Sequence, residues 1–170
     1  MAIKAGNILV AEPFMLDPNF KRSVILICEQ NDLGTTGFIL NKPLDISIQE
    51  LVPDFPKSKA AVHVGGPVSV DSLYFLHNVG DMLDNSVEVC PGVYWGGDFE
   101  STKELINKGQ INNNNIRFFL GYTGWREKQL ESEMESHSWI INSNSYENKI
   151  IGKSATHFWK EQIKELGGDY

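Results

Sequence analysis

The chain has 170 residues, 41% of them hydrophobic, and a formal net charge of −7 at pH 7. A chain of this length can bury roughly two thirds of the surface it exposes when unfolded, so one domain can be stable without disulfides or structural metals. The basic residues are scattered, and this acidic balance disfavours direct nucleic-acid binding, which requires clustered lysine and arginine.

Short apolar runs rich in β-branched and aromatic residues recur along the chain and predict strands. Because most are short and apolar, we expect each to be buried on at least one face. In chain order, the predicted strands cover residues 7–11, 24–28, 37–40, 61–64, 73–76, 92–95, 116–120 and 139–142.

Helices are predicted where capping signals precede apolar positions at helical spacing. Ser47 is predicted to cap a short helix that Pro53 ends, and Ser101 is predicted to cap a helix over 101–108 through the capping box Ser-Thr-Lys-Glu. A last helix is predicted from Ser154 onward, with an apolar face that contains Ala155, Phe158, Trp159, Ile163 and Leu166. The pair Gly167 and Gly168 is expected to end it.

Strands and helices therefore alternate irregularly, and no glycine-rich turn follows the dinucleotide-binding pattern. This arrangement predicts a single α+β domain over residues 1–170, with a mixed or largely antiparallel sheet partly covered by a few helices.

Several classes of enzyme are excluded by missing motifs. The sequence has no P-loop, zinc-protease helix, nucleophile elbow, paired CxxC or EF-hand loop. We therefore expect no metal and no cofactor. His63 and His77 lie near predicted strand ends, where a half-buried, hydrogen-bonded imidazole is more frequent than a ligand.

No apolar run approaches the roughly 18 residues of a membrane helix, and the start of the chain lacks the apolar segment of a signal peptide. These features predict a cytoplasmic protein that does not associate with a membrane.

Three glycine-bearing corners follow predicted strands: Gly65-Gly66-Pro67, Gly96-Gly97-Asp98 and the segment GYTGW, residues 121–125. Glycines at strand ends allow a ligand or another chain to approach the backbone closely, although each corner can equally be only a sharp turn. Thr123 is predicted to cap a helix whose first turn contains Gly124 and Trp125 and could bind an anion.

On that predicted helix, Trp125, Gln129 and Glu133 are spaced at i, i+4 and i+8 and would share one face. Leu130 and Met134 would form a separate apolar stripe. One face would pack on the core, and the other would offer an indole, an amide and a carboxylate.

Ordered motifs along nearly the whole chain resemble the YqgE/AlgH family of bacterial proteins. The motifs are GNILVAEPFMLDPNFKRSVILICE, GFILNKPL, HVGGPV, FLH, GVYWGGD, RFFLGYTGWREKQLESE and the terminal LGGDY. The resemblance implies a single α+β domain with a sheet bent into a barrel-like form, in the bacterial cytoplasm. Members carry the label of transcriptional regulator, and the family has no settled molecular activity.

The residue patterns and the matched motifs together define the candidates for a ligand-binding site. They are Arg22, Ser23, Asn41, Gly65, Gly66, His77, Gly97, Asp98, Tyr122, Thr123, Gly124, Trp125, Gln129 and Glu133.

Two functions are compatible with these candidates. The first is a non-enzymatic regulatory or binding protein whose small anionic ligand or protein partner meets the surface around residues 121–129. The second is an enzyme acting on a small anionic substrate. In that case Arg22 would clamp the anion, Asp98 or Glu133 would act as base, and the Thr123 helix start would be the anion seat. We expect the first of these functions, the non-enzymatic regulatory or binding protein. We also expect that any regulation does not act through direct DNA binding.

Overall fold

A computed structural model describes residues 2–167, which form ten strands and four α-helices. The strands are β1 Ile8–Ala11, β2 Val24–Asn31, β3 Gly34–Ile39, β4 Pro43–Leu44, β5 Val62–Val64, β6 Val68–His77, β7 Val87–Cys90, β8 Val93–Trp95, β9 Ile116–Arg126 and β10 Trp139–Asn142. The α-helices are α1 Ile48–Leu51, α2 Phe99–Asn107, α3 Gln129–Glu135 and α4 Phe158–Glu165, and a 3-10 helix covers Glu147–Gly152.

One bent, mostly antiparallel sheet contains all of these strands. Its main order is β10-β1-β2-β3-β9-β6-β8-β7, while β4 pairs with β5, and β5 pairs with β9 in the one parallel contact of the described residues. The sheet bends without closing into a barrel. The predicted α+β architecture with a largely antiparallel sheet is therefore confirmed.

Strand β1 and the first five residues of β2 are buried on both faces, which explains their unbroken apolar sequences. In β1, Ile8 and Val10 join a cluster that packs against α4, whereas Leu9 and Ala11 join a cluster that packs against α3. Successive side chains of a strand point to opposite faces, so each strand feeds both clusters. A third cluster lies between β6, β9, α1 and α2. Helices thus cover the sheet on more than one side.

The longest strand, β9, includes the GYTGW segment, so the prediction that Thr123 begins a helix is wrong. Residues 123–126 pair with β3, and helix α3 begins only at Gln129, after Lys128 turns the chain with a φ of 61°. The alternation of strand side chains is visible in the burial: Gly121, Thr123 and Trp125 are buried, while Gly124 and Arg126 are exposed. The long-range pairing with β3 therefore overrides the local capping pattern.

Two other helix starts differ in the same way. The N-cap of α2 is Asp98, which accepts a hydrogen bond from the amide of Glu100, so Ser101 lies within the helix. Helix α4 begins at Phe158, after His157 adopts a left-handed φ of 61°, and Ala155 precedes it. The predicted stop at Gly167 and Gly168 falls partly outside the described residues.

The capping box of Ser47 is confirmed, with α1 following it over Ile48–Leu51. Two strands, β4 and β7, have no counterpart among the predicted ones. None of the described helices combines the length and the apolar character needed to cross a membrane.

Candidate functional site

A hydrogen-bonded cluster centred on Glu133 brings together three of the predicted site residues. The Glu133 Oε1 atom accepts from the indole nitrogen of Trp125 at 3.2 Å and from that of Trp139 at 3.0 Å. Its Oε2 atom accepts from Gln129 Nε2 at 2.9 Å. The predicted grouping of Trp125, Gln129 and Glu133 is thus present, although Trp125 reaches it from strand β9 and not from the helix.

Each member of this cluster also contributes to the fold. The two indole rings meet edge to face with their centroids 6.0 Å apart, and Gln129 accepts from the backbone amide of Arg126 at 3.0 Å. The cluster therefore fixes the junction between β9, α3 and β10. Both oxygens of its carboxylate accept hydrogen bonds from side chains of the protein itself.

A groove of about 350 Å³ lies on the opposite, solvent-facing side of the same end of β9. Its floor follows from the register: Gly124 pairs with Thr36, which pairs with Glu29, and Arg126 pairs with Gly34. Paired residues of neighbouring strands point to the same face of a sheet. Because two positions are glycine, the backbone of the sheet is exposed at the floor. We call this surface the β9 groove.

The walls of the β9 groove come from Tyr122, Val68 and Leu33. Leu33 lies in the β2–β3 turn, and 88% of its surface is exposed. Of the groove's lining residues, Tyr122, Gly124 and Trp125 were predicted as site residues. The wall from the β2–β3 hairpin was not predicted, because only long-range strand pairing places it there. The one local signal was Gly34 at the hairpin turn.

Two of the three glycine corners meet behind this groove. A Cβ atom on Gly65 would lie 2.3 Å from the carbonyl oxygen of Gly121, and one on Gly66 would lie 2.2 Å from the backbone of Tyr122. Thr123 Oγ1 donates to the Gly65 carbonyl oxygen at 3.0 Å. The corners Gly65-Gly66-Pro67 and GYTGW are therefore packed backbone to backbone, and only glycine permits this approach.

The third corner lies against a different part of the chain. The side chain of Asp98 caps α2, and its Oδ2 atom accepts from Ser101 Oγ at 2.9 Å. A Cβ atom on Gly97, where φ is +133°, would lie 3.1 Å from Ser86 Oγ. Gly97 and Asp98 thus pack beside the Leu83–Ser86 segment.

His77 is completely buried and bonded at both ring nitrogens. Its Nδ1 atom accepts from the amide of Val79 at 3.2 Å, so the other nitrogen carries the proton and donates to the Gly96 carbonyl at 2.8 Å. The ring stacks on Tyr94. Burial lowers the pKa of His77, and the bond to Gly96 partly opposes that effect. His77 is therefore hydrogen-bonded as expected, but it is fully buried where a half-buried ring was expected.

The remaining candidates meet at the start of β2. Asn41 accepts from the amide of Val24 at 2.9 Å and donates to the carbonyl of Arg22 at 2.9 Å. Ser23 is buried and donates to the carbonyl of Phe20 at 2.7 Å. The exposed Arg22 guanidinium lies 5.8 Å from the ring centre of Trp159. This group secures the loop before β2, and Arg22 does not line the β9 groove.

The described residues contain no group of three His, Cys, Asp or Glu side chains placed to hold a metal ion. The two cysteines are free thiols, and burial raises the pKa of Cys28 well above its usual value.

The bent antiparallel sheet, its helical covers and the packed glycine corners define a class of α+β protein, and comparisons with known proteins identify the family. The family model described as DUF179, AlgH-like, matches residues 8–170. A UPF0301 protein from Chlorobaculum tepidum is 44% identical over 168 residues, covering 99% of this chain and 89% of that protein. One from Cytophaga hutchinsonii is 43% identical, covering 97% and 91%.

Solved structures agree with this assignment. The solution structure of AlgH from Pseudomonas aeruginosa matches with a TM-score of 0.77 and 25% identity, covering 97% of this chain and 89% of that one. A crystal structure of a Corynebacterium diphtheriae protein has a TM-score of 0.81 at 23% identity, covering 97% and 88%, and shows the shared fold. The chain belongs to the AlgH-like family, whose molecular function is uncharacterised.

Proposed function

We propose that this protein is a non-catalytic regulatory or binding protein whose partner, a protein or a small anionic ligand, binds in the β9 groove. One observation carries the proposal. The polar side chains next to the groove are engaged in bonds that hold the fold, whereas the groove itself offers exposed backbone at Gly124 and an exposed apolar wall at Leu33. Such a surface suits noncovalent recognition more than proton transfer.

Charge argues against direct DNA binding as the regulatory mechanism. The groove contains one acidic side chain, Glu29, and one basic side chain, Arg126, in a chain with a net charge of −7. Sequence-independent DNA affinity requires several lysines or arginines that contact phosphates together. Regulation would therefore act through another protein or through a bound small molecule.

Photocrosslinking in cells tests the groove directly. A photoreactive amino acid at Tyr122, on the groove wall, is compared with the same group at Ser132, an exposed position of α3 that does not line the groove. We expect a discrete adduct at position 122 that is absent at 132 and is suppressed by Gly124→Leu, which fills the groove. An equal pattern at the two positions would contradict the proposal.

The alternative is an enzyme that acts on a small anionic substrate. It is tested by incubating the purified protein with sugar phosphates, nucleotides and carboxylates and measuring substrate loss by mass spectrometry. The non-catalytic proposal expects no turnover. Turnover that is lost in both Arg22→Ala and Gln129→Ala would overturn it and support the enzyme.

A further inference from the structure

A separate cavity of about 320 Å³ lies where β5 runs beside the first half of β9. We call it the Arg117 cavity. Residues 113–114, 152 and 154–156 close its other sides, and among the described residues its charged or titratable lining groups are Lys59, His63 and Arg117. No aspartate or glutamate of the described residues lines it, although the chain as a whole is acidic. The cavity is therefore a local concentration of positive charge.

Within residues 2–167, Arg117 is a buried cation without a counter-ion. It is the single basic residue in the apolar run of residues 116–120 at the start of β9, and it is 5% exposed. The guanidinium donates to the carbonyl of Leu40 at 3.1 Å and to the carbonyl of Lys153. No carboxylate within the described part of the chain forms a salt bridge with it. Burial lowers its pKa to about 10, so the group is still charged at neutral pH.

Carbonyl oxygens satisfy two of the guanidinium donors but do not neutralise its charge. A buried charge is costly unless an opposite charge or a dense set of hydrogen bonds compensates it. The guanidinium presents five N–H donors in a planar fork that matches a carboxylate or a phosphate. Arg117 therefore has both the charge and the spare donors that an oxyanion would use.

His63 is the second unusual group, and it differs from the hydrogen-bonded histidine that the sequence led us to expect. It is 2% exposed, and neither ring nitrogen has a hydrogen-bond partner within residues 2–167. Burial, together with the nearby charge of Arg117, lowers its pKa to about 3, so the ring is neutral and keeps one N–H donor. A buried polar group without a partner costs about 1–3 kcal/mol and calls for a physical reason.

The strand register places these two residues on the same face. His63 is the partner of Phe119 in the parallel pairing of β5 with β9, and Phe119 is two residues beyond Arg117. Residues two apart on a strand point to the same side of the sheet. Among the residues that the structure describes, a donor without a partner and a cation without a counter-ion therefore border one cavity.

We propose that the Arg117 cavity binds a small oxyanion, the phosphate or carboxylate group of a small molecule. Arg117 supplies the balancing charge, the N–H of His63 donates to an anion oxygen, and the exposed Lys59 adds charge at the rim. The volume lies at the lower end of the range for small-ligand pockets, which suits a compact metabolite. This site is separate from the β9 groove, since the two share no lining residue.

Titration with inorganic phosphate, and separately with succinate, tests the proposal at constant ionic strength by nuclear magnetic resonance. We expect saturable shifts of the amides of residues 113–114 and 152–156. The probe that binds identifies the oxyanion group. His63→Phe, which removes the N–H but retains an aromatic ring beside Phe119, is expected to weaken binding about tenfold or more, the usual effect of losing a hydrogen bond to a charged group.

Lysine variants provide a matched pair. Lys59→Ala is expected to weaken binding about threefold, as partly screened charges do, whereas Lys57→Ala should leave it unchanged. Lys57 is exposed like Lys59 and lies two residues away, but it does not line the cavity. Because Arg117→Gln can disturb folding, the His63 variant and the two lysine variants are the ones that test anion binding.

Three results would overturn the proposal. The first is no saturation by either probe at about 10 mM, roughly ten times a weak dissociation constant of 1 mM. The second is unchanged affinity in folded His63→Phe, and the third is equal weakening by Lys57→Ala and Lys59→Ala. The last result would mean that the anion responds only to overall charge.

Discussion

Glu133 shows how a side chain that resembles a catalytic base can serve the fold. It joins a strand, a helix and a second tryptophan through three hydrogen bonds. We expect Glu133→Ala to reduce the free energy of unfolding by about 2–4 kcal/mol, because two indoles and an amide lose their acceptor. Urea unfolding at pH 7, followed by tryptophan fluorescence, measures the change.

Glu131 on the same helix is the matched control, because it is exposed and both indoles donate to Glu133 instead. Glu131→Ala is expected to change stability by less than about 0.5 kcal/mol. If the two alanine variants were equally stable, the three bonds to Glu133 would have little energetic weight.

The buried His63 makes the stability of the protein depend on pH. Its pKa in the folded protein is about 3, below the ordinary value of 6.5, so below pH 6.5 the unfolded chain binds a proton that the folded protein does not. The contribution of His63 to stability is therefore complete above pH 6.5 and declines as pH falls toward 3. Near pH 5.5 the slope is on the order of 1 kcal/mol per pH unit.

Denaturant unfolding of wild type and His63→Phe at several pH values between 7 and 5 measures this contribution. We expect the stability difference between the two proteins to shift in favour of His63→Phe as pH falls, by roughly 1 kcal/mol per unit. A difference that does not depend on pH would show that His63 is protonated as readily in the folded protein as in the unfolded chain.

At the element scale, the start of α2 differs from the start that the local sequence pattern predicted. Both Asp98 and Ser101 are suitable cap residues, and the sequence favoured Ser101 because Glu104 completes a capping box. In the structure Asp98 is the cap, since the chain enters the helix from the Gly96-Gly97 corner and Asp98 accepts from the Glu100 amide and from Ser101 Oγ.

We expect Asp98→Ala to cost about 1 kcal/mol of stability and Ser101→Ala clearly less. Thermal unfolding of the two variants gives the order, and the reverse order would restore Ser101 as the cap.

Strands whose own residues are almost all apolar were predictable. Strands that form only because a distant segment pairs with them were not. Strand β1 and residues 24–28 of β2 are continuous apolar runs, so their burial on two faces is already visible in the sequence. By contrast, β7 has two exposed residues out of four, and β4 has only two residues, so neither produces a clear pattern. The GYTGW segment hid its alternation because glycines occupy positions on both faces of β9.

The same distinction applies to the candidate site. The resemblance to a known family predicted the bent α+β sheet, and helical spacing grouped Trp125, Gln129 and Glu133, which do meet. The groove wall at Leu33 depends on pairing between residues about ninety positions apart in sequence, which no local pattern encodes. Arg117 was a visible signal, a single cation within an apolar run, but only the fold shows that no carboxylate in the described part of the chain pairs with it.

At the scale of the whole molecule, the sheet forks at Gly65. Strand β9 pairs first with β5 and then with β3, and Gly65 connects the two parts. Its amide donates to the carbonyl of Leu120 at 2.8 Å, and its carbonyl accepts from the amide of Ile39 at 2.9 Å. This fork lets one strand contribute to several core clusters, and it requires two backbones to approach closely at Gly121.

That requirement separates two glycines with different roles. A Cβ atom on Gly65 would meet the Gly121 carbonyl oxygen at 2.3 Å, so Gly65→Ala must displace backbone at the fork. We expect it to reduce the free energy of unfolding by about 3 kcal/mol, at the upper end of the usual overpacking cost. On the groove side, a Cβ atom on Gly124 would meet side chains only, the edge of the Tyr122 ring at 3.3 Å and Val68 at 4.0 Å.

Gly124→Ala is therefore expected to change stability by less than about 1 kcal/mol, since a tyrosine ring can move where a backbone cannot. Chemical denaturation of both alanine variants measures the contrast. A similar loss in the two would mean that the fork tolerates separation of its backbones. A large loss confined to Gly65 would make Gly124 the glycine that can be replaced freely, so variants there can change binding in the β9 groove without changing the fold.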